Sequence, residues 1–320
     1  MELDPAAGDL VSVPADVVRV PADYDPPKNE RRAELTALAF FVCFDLAGST
    51  AYKMREENWA DVITYFYGQI VNQIIDVAPE FEVWKYLGDE VAFYAYVTDL
   101  DQLEKWVRLA FSSQRAVLVS IKSQHPEVEQ HLSIKATCWI APVCGYETIP
   151  GISAPEIIGE LPVIGRLKIR DRFFRDRKNN VDFIGPNIDA GFRLAAFSRP
   201  LQLTVSPALG YVFLTGAKKT NDLRVVGFEA LKGVAGGMLY PAVWYHENWH
   251  KVAEDFGYVD RFTDPIVQRV CLGHHDPLDV LDEVRQMFKA DHYFFNVDDL
   301  RQLASASAPF VAALRQRKET

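Results

Sequence analysis

Apolar positions along the chain change their period several times, and each change marks an element. From Leu38 an apolar run, LAFFVCF, ends at Asp45 and is followed by Gly48, which predicts a buried strand feeding a turn. Residues 59 to 77 place Val62, Phe66, Ile70, Ile74 and Val77 at spacings of four, four, four and three, the stripe of an amphipathic helix. FEVWKYLGDEVAFYAYV then reads as two strands meeting at Gly88-Asp89, a hairpin with acids at its tip. A second helix is predicted over 99 to 122, with Leu103, Trp106, Val107, Leu109, Ala110 and Val117 on or near one face, and a strand over 132 to 143. Residues 146 to 180 carry no sustained period. DFIGPNIDAGFRLAAFS predicts a strand end, a Gly-Pro turn and a helix from about Asn187. Strands follow at LQLTVS, LRVVGFEAL and MLYPAVWY, the last two joined by the lysine-glycine turn KGVAGG.

This order, β-α-β-β-α-β with further elements, predicts an α+β fold on the ferredoxin-like, split βαβ plan. Three segments are expected: a proline-punctuated N-terminal arm over 1 to 34, partly disordered, a catalytic domain over 35 to 245, and a C-terminal helical extension over 246 to 320.

Composition narrows the function. Hydrophobic residues at 49% and charged residues at 24% describe a packed globular protein, and a balance of 34 basic against 44 acidic residues, net -10, argues against a surface that grips a nucleic-acid backbone. The four cysteines show no C-x-x-C pair, so neither a zinc cage nor a disulfide framework is indicated and a reducing cytoplasm fits. The acidic start is not a secretory signal, and the seven-residue run from Leu38 to Phe44 falls short of the roughly 20 residues of a membrane span.

Two aspartates carry the chemistry: Asp45 in FDLAGST and Asp89 in KYLGDEV, each at a strand end beside a glycine. With the first strand and the hairpin as sheet neighbours, both carboxylates converge at one edge, a ligand set that suits Mg²⁺ completed by substrate phosphates and water. Two such ions activate an attacking oxygen and stabilise a leaving pyrophosphate. The loop LAGST offers backbone N–H groups near a helix start, with Gly48, Ser49 and Thr50 as a phosphate cradle.

The chain resembles class III nucleotidyl cyclase domains. Their pattern has an aspartate and a G-[FS]-T loop after the first strand, a K-x-[IL]-G-D hairpin, a D-x-x-G-x-x-[VI]-N-x-A-x-R segment and a late lysine-glycine turn, and counterparts occur in order over residues 38 to 245. The resemblance implies Asp45 and Asp89 as ligands of two Mg²⁺ or Mn²⁺ ions, with the Leu46 carbonyl as an additional ligand. It implies Lys85 and Asp182 as the base-reading pair, Arg193 as the transition-state arginine and Lys232 as a ligand of the terminal phosphates. The transition-state asparagine falls on Asp189, which when ionised cannot donate a hydrogen bond; it is left to orient Arg193 or to act on the ribose hydroxyl. The resemblance also implies a homodimer with two shared sites, one subunit bringing Asp45 and Asp89 and its partner Lys85, Asp182, Arg193 and Lys232. No nucleic acid or membrane partner is expected, and the cyclic product is read by a separate effector protein.

Hydrogen-bond patterns alone do not choose the base, because adenine, cytosine and uracil can each satisfy a lysine and an aspartate. The phrases DFIGPNIDAGFRLAAF and FDLAGSTAYK resemble the pyrimidine cyclases of bacterial anti-phage (Pycsar) defence, which make cyclic UMP or cyclic CMP. UTP is the expected substrate, with Tyr52 or Phe192 as groups that narrow the pocket or as ordinary core. An adenylate cyclase and a degenerate nucleotide-binding module are the competing readings. The basic run Arg166, Lys168, Arg170, Arg172, Arg175, Arg177 and Lys178 reads as a solvated face that helps steer a triphosphate. His274, His275 and Asp276 lack the further ligands of a zinc site, and the Trp and Tyr residues at 244 to 249 read as packing or dimer contacts.

Overall fold

The structure, a computed structural model, describes residues 34–128, 131–147, 163–164, 167–168, 171–175, 181–215, 222–234, 237, 239–249, 276–287 and 297–318. In chain order the elements are β1 (Glu34–Ala47), α1 (Ser49–Lys53), α2 (Trp59–Val77), β2 (Glu82–Leu87), β3 (Glu90–Val97), α3 (Asp101–Gln124) and β4 (Ser133–Glu147). There follow β5 (Val163–Ile164), β6 (Leu167–Lys168), β7 (Asp171–Arg175), β8 (Val181–Ile184), α4 (Pro186–Arg193), β9 (Leu203–Val205) and α5 (Pro207–Thr215). The last are β10 (Leu223–Ala230), β11 (Leu239–Tyr245), α6 (Pro277–Met287) and α7 (Val297–Lys318).

β1 lies inside the sheet, antiparallel to β3 on one side and β4 on the other. Leu38, Phe40, Val42 and Phe44 enter one hydrophobic core, and Ala37, Ala39, Phe41 and Cys43 enter another. A strand buried on both faces shows no alternation, which is why LAFFVCF reads as an unbroken apolar run. Phe40, Phe41 and Phe44 are 0% exposed, and each burial contributes on the order of 2–3 kcal/mol before the entropy of ordering is counted.

The order β4-β1-β3-β2, with α2 between β1 and β2 and α3 between β3 and β4, is the split βαβ plan. α2 buries Val62, Phe66, Ile70 and Ile74 in the first core, whereas Val77, expected on the same stripe, is 61% exposed at the helix end. α3 buries Leu103, Trp106, Val107, Ala110 and Val117 in that core. The second core is covered by α4 and the 3₁₀ turn Leu194–Phe197, through Ile188, Ala190, Leu194 and Phe197. α4 approaches the sheet so closely that a Cβ at Gly191 would overlap the Trp139 ring.

Beyond β4 the sheet continues through β9, β11 and β10. Trp244 and Tyr245 of β11 are 1% and 0% exposed, so the aromatic stretch near 244 supplies core. Trp244 Nε1 donates to the Phe197 carbonyl at 3.0 Å.

Four described elements were not expected: β5 and β6, which pair with each other, β7 and α5. β7 runs parallel to the end of β4 and antiparallel to β8, inside the region that carries no period. Its sequence, DRFFR, has only two apolar residues, so the pairing is decided by the neighbouring strands. α5 buries residues around its whole circumference, including Leu209, Gly210, Val212, Phe213 and Leu214, and a helix without a polar face leaves no helical period to read.

The described residues belong to one unit, Ala33–Thr320, and the arm expected over 1 to 34 lies outside them except for its last residue. Of the expected extension, α6 and α7 contribute Leu281, Leu300, Leu303 and Ala304 to the first core, and Ser307 Oγ accepts the Leu38 N–H at 2.9 Å. His274 and His275 lie outside the described residues, while Asp276 Oδ1 accepts the Leu278 N–H at the start of α6. Among the described residues no helix is long and apolar enough to cross a membrane.

Candidate active site

Asp45 stands near the end of β1, opposite Glu90 of β3 and Lys135 of β4. Lys135 Nζ lies 2.6 Å from Asp45 Oδ2, with both side chains 27% exposed. The hairpin tip carries Asp89 to the same end, where the Leu46 N–H donates to the Asp89 carbonyl at 3.3 Å. Ser49 Oγ donates to Asp89 Oδ2, and Lys53 Nζ lies 3.3 Å from Asp89 Oδ1. Burial raises the Glu90 carboxyl above the usual carboxylate range; the charges of Asp45 and Asp89 add to the rise, while a hydrogen bond from Cys43 and the charge of Lys135 oppose it. Three carboxyl groups therefore share one end of the sheet.

Local sequence explains how this end is built. Gly48 takes φ 88°, and a Cβ there would overlap the His131 carbonyl oxygen, so only glycine lets the chain turn from β1 into α1. Gly88, at φ 69°, makes the hairpin turn that presents Asp89. Of the expected phosphate cradle, Thr50 is exposed, whereas Ser49 is buried with its hydroxyl engaged by Asp89.

A second group forms elsewhere on the chain. Lys85 Nζ of β2 donates to Asp182 Oδ1 of β8 at 2.8 Å, across 97 residues of sequence. The same oxygen accepts Trp84 Nε1–H at 2.9 Å and the Phe183 N–H at 2.9 Å. Burial alone would raise the Asp182 carboxyl, but the hydrogen bonds from Lys85, Phe183 and Trp84, with the Lys85 charge, hold it below the usual carboxylate value. Lys85 also lies 4.1 Å from the centre of the Trp84 ring.

α4 continues this second group. Phe192 packs on Trp84 and on Trp139, each at 5.4 Å between ring centres. The adjacent Arg193 is exposed, and its guanidinium reaches Gly233, in the turn next to exposed Lys232. Asp189 is exposed, and among the described residues its carboxylate makes no hydrogen bond or ion pair with the Arg193 guanidinium. Tyr52 is 2% exposed inside the first core, its hydroxyl donating to Asn58 Oδ1, so of the two bulky candidates only Phe192 stands beside the Lys85–Asp182 pair.

The expected site residues thus fall into two sets within one chain: Asp45, Leu46, Asp89, Gly48, Ser49 and Thr50 in one, and Lys85, Asp182, Arg193 and Lys232 in the other, with Asp189 on α4 beside the second. No hydrogen bond or ion pair among the described residues joins the two sets. Lys135 and Glu90 escaped the sequence reading, although both leave a signal. Lys135 is the single charge between Leu132 and Gly145, and Glu90 opens an otherwise apolar strand. The side chains of the basic run 166 to 178 lie outside what the structure describes.

The donor set at the first end fits hard divalent cations. Asp45 and Asp89 offer carboxylate oxygens, and both already attract cationic groups. Among the described residues no group of three or more His, Cys, Asp or Glu is arranged to hold a metal. Two carboxylates leave coordination positions for phosphates and water, as Mg²⁺ and Mn²⁺ sites on nucleotides require.

No protein-family model matches the chain, and no curated protein sequence does. Among solved structures, it is similar to the adenylyl cyclase CyaB from P. aeruginosa at 12% identity and a TM-score of 0.50, over 70% of this chain and 100% of that one. The chain has the fold of a nucleotidyl cyclase catalytic domain. It is also similar to the guanylyl cyclase Cya2, at 12% identity and a TM-score of 0.44 over 66% of this chain and 91% of that one. An adenylate cyclase from Trypanosoma brucei matches at 16% identity and a TM-score of 0.43, over 65% of this chain and 88% of that one.

Proposed function

We propose that the protein is a nucleotidyl cyclase that converts a pyrimidine nucleoside triphosphate, UTP, to its 3′,5′-cyclic monophosphate and pyrophosphate. The observation that carries this reading is the pairing of Lys85 with Asp182 at 2.8 Å within a cyclase fold that also brings Asp45 and Asp89 to one end of the sheet.

In the reaction the ribose 3′-oxygen attacks the α-phosphorus, the bond from that phosphorus to the bridging oxygen breaks, pyrophosphate leaves with that electron pair, and the 3′-hydroxyl proton passes to water. Asp45, Asp89 and the Leu46 carbonyl would hold two Mg²⁺ or Mn²⁺ ions. When bound, the ions supply the charge that activates the 3′-hydroxyl and neutralises the leaving pyrophosphate. Arg193 presents a guanidinium fork to charge developing on the α-phosphate, and Lys232 holds the terminal phosphates. Asp189 has no amide N–H to contribute, so Arg193 carries the side-chain donation from α4.

The base is read by an acceptor beside a donor. Asp182, held ionised, keeps Oδ2 without a partner among the described residues, and Lys85 supplies the cationic donor. Uracil answers with a ring N–H beside a carbonyl oxygen. Phe192 and Trp84, packed together next to the pair, add bulk that favours one ring over two. The separation of the two residue sets within one chain supports a head-to-tail homodimer whose two sites each draw one set from either subunit. The resemblance to Pycsar cyclases supports a cytoplasmic role in anti-phage defence, with the cyclic nucleotide passed to a separate effector.

Purified protein with Mg²⁺ or Mn²⁺ and each of ATP, GTP, CTP and UTP, with products separated chromatographically, tests the reading. Cyclic UMP is the expected principal product. Conversion of ATP alone would sink the pyrimidine assignment, and no cyclic product from any nucleotide would sink the cyclase assignment.

A further inference from the structure

Trp84 touches both members of the proposed base-reading pair. Its Nε1–H donates to Asp182 Oδ1 at 2.9 Å, and its ring lies beneath Lys85 Nζ at 4.1 Å. The indole itself is held by aromatic contacts with Phe41 at 5.4 Å, Phe183 at 5.2 Å and Phe192 at 5.4 Å. Phe41 and Phe183 are buried core residues, so the N–H is aimed by a ring that the sheet fixes in place.

Convergence on one oxygen has a consequence. Oδ1 accepts from Trp84, Lys85 and the Phe183 N–H, which sets the orientation of the carboxylate and leaves Oδ2 without a partner among the described residues, on a side chain that is 59% exposed. A carboxylate free to rotate would present either oxygen at variable angles and lose selectivity between bases. One whose rotation is stopped presents a single acceptor at a set distance from the lysine.

We propose that Trp84 is a positioning residue for nucleotide selection, aiming Asp182 Oδ2 and Lys85 Nζ together at the base edge. The inference rests on the nucleotidyl cyclase reading and deepens it, by naming the group that makes an exposed ion pair selective.

The test is calorimetric binding of 3′-deoxy forms of UTP, CTP, ATP and GTP with Mg²⁺, using the full chain; these triphosphates lack the attacking hydroxyl. Trp84→Phe keeps a ring beneath Lys85 and removes only the N–H. It is expected to weaken the best-bound triphosphate about ten-fold, the scale of one hydrogen bond to a charged acceptor, and to narrow its margin over the others. In an Asp182→Ala background the same substitution is expected to change binding less than about two-fold, because the acceptor is gone. Unchanged affinity in Trp84→Phe, or an equal loss in both backgrounds, would overturn the proposal and leave Trp84 as packing alone. If Trp84→Phe does not fold, Trp84→His, which keeps a ring N–H, is compared with wild type and Asp182→Ala. Affinity near wild type is expected, and affinity at the Asp182→Ala level overturns the proposal. Wild-type protein that binds a 3′-deoxy triphosphate but cyclises no ribonucleotide sinks the cyclase reading and leaves this inference standing. Binding of none of the four sinks both.

Discussion

At the β1 end of the candidate site, Asp45 and Asp89 each face a lysine of their own chain, Lys135 at 2.6 Å and Lys53 at 3.3 Å. At the other end, Asp182 gathers Lys85, Trp84 and a backbone N–H on a single oxygen. The first arrangement pairs each carboxylate with a partly exposed ammonium, which a divalent cation would have to displace. The second is a converging set of directional bonds that sets a geometry. In the proposed function, cation binding needs charge in roughly the right place and base reading needs atoms at defined angles, and the two arrangements suit those two tasks.

Breaking the first end has the largest expected effect. Asp45→Ala removes a carboxylate that the proposed mechanism cannot replace, so cyclic-nucleotide formation should fall at least about a thousand-fold, with the thermal midpoint little changed. Normal turnover in that variant would show that Asp45 holds no essential cation. A smaller change sharpens the comparison: Lys135→Met frees Asp45 of its intramolecular partner and should tighten Mn²⁺ binding about five-fold in a calorimetric titration without nucleotide. Unchanged or weaker Mn²⁺ binding would mean that the lysine does not compete.

The smallest effect lies at the second end and is read through pH. Asp182 has a folded-state value below its unfolded one, so its stabilisation is present above the ordinary carboxylate range and is lost as pH falls through the lowered value. Because the side chain is 59% exposed, the contribution is small, under about 1 kcal/mol. Urea unfolding should show Asp182→Asn slightly less stable than wild type at pH 7, with the gap closing below about pH 4. A gap that persisted at low pH would assign it to lost packing.

Most of the fold was legible because its central elements carry clean patterns. The helices over 59 to 77 and 101 to 124 and the hairpin at Gly88 follow from period and turn chemistry alone. β7 and α5 were illegible for opposite reasons, one too short and charged to show a period and the other too thoroughly buried. Within the site, Asp45 and Asp89 were marked by glycines that the backbone conformation requires. Lys135 and Glu90 were not, since their place beside Asp45 depends on strand register, which no local motif encodes.

The amino-acid sequence by itself determined the element order, the two-sided burial of β1 and the residue types at each end of the site, because period, turn glycines and charge are local properties. Only the tertiary structure decided that Trp84 joins Lys85 on Asp182 across 98 residues, and that lysines from α1 and β4 stand against Asp89 and Asp45. Those contacts arise where separate strands and helices pack together, and packing is a property of the whole sheet.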